Sequence, residues 1–339
     1  MRNAVKRGDV EEVKRLSDHF SVSYVNVMGE SFVWVAASKG CVAVIEALIG
    51  LGSEHLDTPT LRGVTPLAKA SENGHALTVE ALVRLGSKAL DTADNYGYTP
   101  MHVAAMNGHA HVVETLMRLG STVIDSPGPS GDTPMHLAAR VGHVSVVKAL
   151  VRFGSRAVND LNEHGRAPIH DAAVAGQFSI IEALVEAGST TIDTEDNYGY
   201  TPMHLAADKN KPLTIETLMR FGSQSLDSQS ARELTPMHLA SISGCPQAIG
   251  MLVRLGSKAY DITVELGKPI TLARGHKRIE TFKVLAALTD VNADPFHERL
   301  DEDYVSETRF SVWFSQSMVS RLLFSLDREE NISLNKRIV

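Results

Sequence analysis

A proline returns along this chain at Pro66, Pro100, Pro134, Pro168, Pro202 and Pro236, each 34 residues after the last, and Pro269 follows 33 later. A self-similar period of this length specifies a repeat architecture, in which each unit buries its apolar face on the next. Such an array grows linearly, so the 339 residues predict an elongated body rather than two globular domains. Repetition also changes how every other residue is read, because a side chain that recurs in register belongs first to the framework.

A period of 34 fits two kinds of helical repeat, and residue chemistry separates them. Here the proline opens a helix: Thr99-Pro100-Met101-His102-Val103-Ala104-Ala105 leads to Gly108-His109, and Thr133-Pro134-Met135-His136-Leu137-Ala138-Ala139 leads to Gly142-His143. Proline suits the first helical position, where its missing N–H had no intrahelical partner, and the preceding Thr can cap the orphan donors. A tetratricopeptide proline would sit near a helix end, and the Trp and Tyr of that pattern are absent.

These residues resemble the ankyrin-repeat family, whose Thr-Pro-Leu-His-x-Ala signature is matched with Met in place of Leu, over about residues 28–264. The resemblance implies an all-α fold: a solenoid of stacked helix-turn-helix units with projecting β-hairpin loops. A turn glycine follows the first helix at Gly40, Gly74, Gly108, Gly142, Gly176 and Gly244, with Asn210 as the one ordinary residue that tolerates the same backbone. A second glycine column, Gly52 to Gly256, ends the second helix and is followed by Ser. Beyond it comes an apolar residue and Asp or Asn, as in Leu90-Asp91, Ile124-Asp125 and Val158-Asn159, where the short acceptor is expected to organise its own turn.

Both ends of the pattern weaken. Residues 1–27 read as a degenerate capping repeat, 28–264 as seven repeats, and 265–292 as a degenerate last repeat that reaches Gly275-His276 two residues early. Residues 293–339 read as a C-terminal helical segment and a polar tail, with Phe310, Trp313, Phe314, Met318, Leu322 and Leu326 on one amphipathic face. That face is expected to cap the last repeat, or else to dock a partner or a membrane surface.

Composition narrows the function classes. A net charge of -7 gives no basic footprint for nucleic acid. No signal-like or bilayer-spanning apolar segment is present, and Cys41 and Cys245 alone exclude a disulfide framework, so a cytoplasmic protein is expected. Those two cysteines share one repeat position six repeats apart, too far to pair. Among the fourteen histidines, His102, His136, His170, His204 and His238 form one column, and His75, His109, His143 and His276 another. Column neighbours about 8–10 Å apart cannot share a zinc ion, so the imidazoles are read as bonding near the Thr-Pro turn. The column Arg84, Arg118, Arg152, Arg220 and Arg254 stands four residues after Glu80, Glu114 and Glu216 where those occur, while Lys148 and Arg152 face Glu182 and Glu186 across a repeat boundary. The column therefore reads as a solvated face laced with weak ion pairs, the alternative being a site for an acidic partner.

What the framework leaves is the hairpin tips and the inner face of the first helices. Tyr96, Tyr98, Asp132, His164, Arg166, Tyr198, Tyr200 and Arg232 at tips, with Met106 and Arg140 on first helices, show no packing duty in the sequence and are the expected partner-binding residues. Tyr and Arg are enriched at energetic hot spots. Glu233 replaces a tip glycine, so its hairpin is expected to depart from its neighbours. The chain reads as a protein-binding scaffold or adaptor with no catalytic, cofactor or metal site and no small-molecule substrate. The alternative is a targeting arm of a larger enzyme or ubiquitin-ligase complex, docked through residues 296–339.

Overall fold

The computed structural model describes residues 1–289; the amphipathic face read between Phe310 and Leu326 lies outside them. Two compact units divide at Ile192 and Asp193. The first holds six helix pairs: α1 (Arg2–Arg7) and α2 (Val10–Ser17), α3 (Phe32–Ser38) and α4 (Val42–Gly50), α5 (Pro66–Glu72) and α6 (Ala76–Arg84), α7 (Pro100–Met106) and α8 (Ala110–Arg118), α9 (Pro134–Val141) and α10 (Val144–Arg152), α11 (Pro168–Ala175) and α12 (Phe178–Glu186). The second holds α13 (Pro202–Asp208) and α14 (Pro212–Arg220), α15 (Pro236–Ser243) and α16 (Pro246–Arg254), α17 (Pro269–Gly275) and α18 (Ile279–Leu288). Within each unit every first helix packs on the next first helix and every second helix on the next second helix.

The Thr-Pro-x-His pattern builds the starts of α7, α9, α13 and α15 as one device. Thr99 caps α7 by accepting from the His102 N–H, and the His102 Nδ1 in return lies 2.7 Å from the Thr99 hydroxyl and accepts from the Thr99 N–H at 3.3 Å. Thr133 with His136, and Thr235 with His238, repeat the arrangement. Two orphan donors are thereby satisfied reciprocally, as in a capping box with imidazole in the place of Glu. Met101, Ala104, Val113 and Leu116 then bury completely between neighbouring pairs.

The projecting loops are tight turns. Gly97 N–H donates to the Asp94 carbonyl and Asp94 N–H to the Tyr98 carbonyl, and no strand forms among the described residues beyond isolated bridges at Val25 with Ser31 and Val264 with Gly267. Glu233 keeps this geometry at φ 59°, with the same pair of bonds between Ser230, Glu233 and Leu234, so its hairpin does not depart from its neighbours. The turn fixes the backbone, and the side chain accepts the left-handed conformation.

Three sequence expectations shift in register or partner. The turn after α17 is made by Lys277 at φ 56°, eight residues after Pro269 just as Asn210 is eight after Pro202, so the last repeat is in register and Gly275 is helical. His276 caps the end of α17, and Arg278 stands where α6, α8 and α10 have His. The Asp column does not organise its own turn. Asp91 accepts from the Ser121 hydroxyl at 2.6 Å and the Thr122 N–H at 3.0 Å, and Asp125 from Ser155 at 2.5 Å and the Arg156 N–H at 2.9 Å. Asp57, Asn159, Asp193 and Asp227 do the same for the repeat that follows each. Because stacking lays the post-glycine Ser of the next repeat beside the carboxylate, the bond closes across the repeat rather than within it.

The arginine column follows the same logic. Arg118 pairs with Glu80 at 3.2 Å and Arg152 with Glu114 at 2.5 Å, each partner lying on the preceding second helix and not four residues back on the same one. Arg84 with Glu46, and Arg254 with Glu216, repeat it. These pairs are exposed, so they contribute little stability.

Candidate partner-binding surface

The tip residues separate into displayed and structural ones. In the first unit the Asp94 carboxylate accepts from the N–H of Tyr96 and of Tyr98, both at 2.9 Å, which fixes the tip from inside. Neighbouring tips are also tied through the backbone. Asn95 N–H donates to the Arg62 carbonyl, Leu61 N–H to the Met28 carbonyl and Glu163 N–H to the Ser130 carbonyl, each at 3.0 Å. On this support Tyr96 is 63 % exposed, whereas Tyr98 is half-buried with its ring edge toward His102, 6.2 Å between centroids.

The tip two repeats on is built on Asn162, whose side-chain oxygen accepts from the N–H of His164 at 3.0 Å and of Arg166 at 3.1 Å. His164 is exposed and Arg166 partly so. The Arg166 carbonyl receives His136 Nε2 at 2.8 Å, so the histidine column reaches out and holds the tip of the following repeat.

Asp132 is different from the residue the sequence suggested. It is 5 % exposed and accepts from Asn162 Nδ2 at 2.8 Å, and it shares Arg140 with Asp171, at 2.7 and 3.0 Å. Burial pushes the Asp171 carboxyl up and the Arg140 guanidinium works against that rise. Asp132 thus has a packing duty, and Arg140 is a clamp between two carboxylates whose outer part faces solvent. Met106, at the end of α7, is half-buried, and its carbonyl accepts from His143 Nε2 at 3.1 Å.

In the second unit Asp196 repeats the role of Asp94 toward Tyr198 and Tyr200, at 2.9 and 3.0 Å. Tyr198 is 55 % exposed and stacks on Tyr200, 6.4 Å between centroids. Tyr200 itself packs against the cluster of Leu234, Leu239 and Val264, so it belongs largely to the framework. Arg232 is exposed.

Sequence reasoning missed the first two tips, where Val27 is 90 %, Met28 50 % and Leu61 68 % exposed. Their signal was available, since Met28 precedes Gly29 as Tyr96 precedes Gly97, and Val27 and Leu61 stand one position earlier, in the register of Asn95.

The first-helix histidines are buried in the framework, with the Nε2 atoms of His102 and His238 lacking a hydrogen-bond partner among the described residues. His204 is fully buried, bonded through Nδ1 to Thr201 and through Nε2 to the Leu234 carbonyl at 2.9 Å, and burial pushes its pKa down to about 4. Cys41 and Cys245 are free thiols whose pKa burial raises, which keeps them protonated. Among the described residues no three His, Cys, Asp or Glu side chains group as metal ligands. No helix among them is long and apolar enough to cross a membrane.

Comparison with known proteins agrees with this geometry. A family model described as ankyrin repeats in three copies matches residues 33–126 and 122–196. The crystal structure of the human ASB11 ankyrin repeat domain is similar at 27 % identity with a TM-score of 0.57, covering 66 % of this chain and 97 % of that one. A search of curated proteins finds no match. With the Thr-Pro-x-His caps, the stacked helix pairs and the family model in accord, the chain belongs to the ankyrin-repeat family.

Proposed function

We propose that this protein is a non-catalytic binding scaffold that captures a partner protein through the hairpin tips of its first unit, with Tyr96 and His164 as principal contacts. Ankyrin repeats generally mediate protein–protein interaction. The observation that carries the reading is the support under Tyr96: a ring 63 % exposed on a tip whose backbone is tied both to Asp94 and to the preceding tip. An aromatic ring held this way loses little freedom on binding, so its apolar area is available for affinity. Arg166 and the outer edge of Arg140 add charge in the later repeats of the unit, and Val27, Met28 and Leu61 add exposed apolar area at its first two tips. In the second unit Tyr198 and Arg232 have the corresponding exposure.

The test compares the full chain with a Tyr96→Ala/His164→Ala variant in affinity capture with mass-spectrometric identification, followed by titration of the partner recovered. The expected outcome is an affinity loss of at least tenfold, about 1.4 kcal/mol, with an unchanged melting temperature. Equal affinity in the two proteins would remove the tips from the interface.

A further inference from the structure

The turns between first and second helices are sparsely charged in the first unit and basic in the second. After α3, α5, α7, α9 and α11 the stretches 38–41, 72–75, 106–109, 140–143 and 174–177 carry Lys39 and Arg140 against Glu72, and Arg140 is held between Asp132 and Asp171. At the ends of α13 and α17 the second unit carries Lys209, Lys211, Arg274, Lys277 and Arg278 against Asp208, in a chain whose net charge is -7. Asp208 is already taken, by Lys209 at 2.9 Å and by the Ser243 hydroxyl.

Lys277 and Arg278 occupy framework positions. Lys277 makes its turn at φ 56°, where the first unit has Gly40, Gly74, Gly108, Gly142 and Gly176, and a left-handed backbone costs any ordinary side chain. Arg278 stands in the column of His143 and Gln177. Its Nε donates to the Ile242 carbonyl at 3.0 Å, as Gln177 Nε2 does to the Val141 carbonyl at 3.1 Å, so the guanidinium is anchored on the preceding turn. Arg274, Lys277 and Arg278 are exposed, and none of them pairs with a carboxylate among the described residues. Glu280, at the start of α18, is paired with Lys283 at 2.8 Å. Ile279, next to Arg278, is exposed.

We infer that the turns of the second unit form a docking edge for an acidic peptide segment of a partner protein, with Arg274, Lys277 and Arg278 pairing its carboxylates and Ile279 receiving an apolar side chain. An arginine fork takes a carboxylate through two parallel bonds, and an anchored guanidinium has less freedom to lose. Because α13 packs on α15 and α15 on α17, the three turns stand in a row at helix spacing, about 8–10 Å apart. The two intervals together span about six residues of extended chain. A polyphosphate or an anionic membrane fits less well, because its binding draws on a broad basic footprint and Asp208 and Glu280 interrupt this one. A merely polar end to the array would need no lysine in a left-handed turn, since Asn210 fills the same position. The edge lies on turns rather than tips and is independent of the tip-binding reading above.

The experiment titrates the full chain into a fluorescein-labelled peptide of repeated Glu-Asp-Leu units and follows its anisotropy. Saturable binding that weakens as salt is raised is expected, with none for the matching Lys-Lys-Leu peptide. Lys277→Asn/Arg278→Gln should weaken binding about tenfold at an unchanged melting temperature, because Asn210 and Gln177 already serve these two positions. Arg274→Ser, which copies Ser241 of the repeat before, should weaken it severalfold and covers the case in which the double variant unfolds. Tyr96→Ala/His164→Ala should leave it unchanged, so the edge and the tips are tested separately. No saturable binding of the acidic peptide, or equal affinity for the chain and its turn variants, would overturn the inference. So would tighter binding of single-stranded oligothymidylate or of phosphatidylserine vesicles, which would make the edge a nucleic-acid or membrane surface.

Discussion

The carboxylate staple shows how far one side chain can act in this array. Asp125 lies in one repeat, yet its oxygens satisfy the hydroxyl of Ser155 and the N–H of Arg156 in the next. Asp125→Ala leaves both groups unpaired at a repeat boundary and is expected to lower stability by about 1–3 kcal/mol, measured by urea unfolding. His204 gives a pH dependence. Its folded pKa of about 4 lies below the ordinary value near 6.5, so its contribution is whole above pH 6.5 and is lost as pH falls toward 4. His102 and His238 are shifted in the same direction, chiefly by burial. Urea midpoints taken at about pH 7 and about pH 4.5 should differ by up to about 3 kcal/mol through His204 alone, and His204→Gln should flatten that slope. A slope unchanged in the variant would assign the acid sensitivity elsewhere.

At the scale of the element, the helix ends were the most legible part of the sequence, because capping is local chemistry. Thr99-Pro100 announces the start of α7 and Gly108 its turn without reference to any other repeat. The two glycine columns nevertheless do different things. A methyl group at Gly120, φ 90°, meets nothing within 4 Å, whereas one at Gly108, φ 79°, falls 2.6 Å from the His143 ring. Gly120→Ala should therefore cost only the left-handed penalty of about 1–2 kcal/mol. Gly108→Ala should cost more and loosen the bond between His143 and the Met106 carbonyl. Melting temperatures of the two variants order them, and equal losses would sink the steric distinction. What stayed hidden was whatever depends on the neighbour: the target of Asp125, the partner of Arg152, and the burial of Asp132, which looked like a tip residue because Asn162 and Arg140 are thirty and eight positions away. The displayed tips at Val27 and Leu61 were missed for another reason, since apolar residues in a weakened repeat read first as core.

Among the described residues the main packing within a unit is between adjacent helix pairs: α7 packs on α5 and α9, and α8 on α6 and α10, in the pattern that runs from α1 to α12. Stability in such an array is a sum of unit terms and nearest-neighbour interfaces. Leu116 is fully buried on α8, so Leu116→Ala should cost about 2–5 kcal/mol. Its effect in hydrogen exchange is expected to be strongest over α5 to α10 and to fade toward α1. Uniform loss of protection through the first unit would show cooperativity beyond neighbours.

The cross-repeat staple also bears on how the gene can change. Each Asp, or Asn159, is completed by the Ser of the next repeat, so a crossover that removes or adds a whole 34-residue period anywhere between Asp57 and Ser223 rejoins an acceptor to an equivalent donor. A shift of one codon joins none. The pairing thus tolerates whole periods and not fractions of one, and the tips Asp94 to Tyr98 and Asp196 to Tyr200, three periods apart, carry the same five residues.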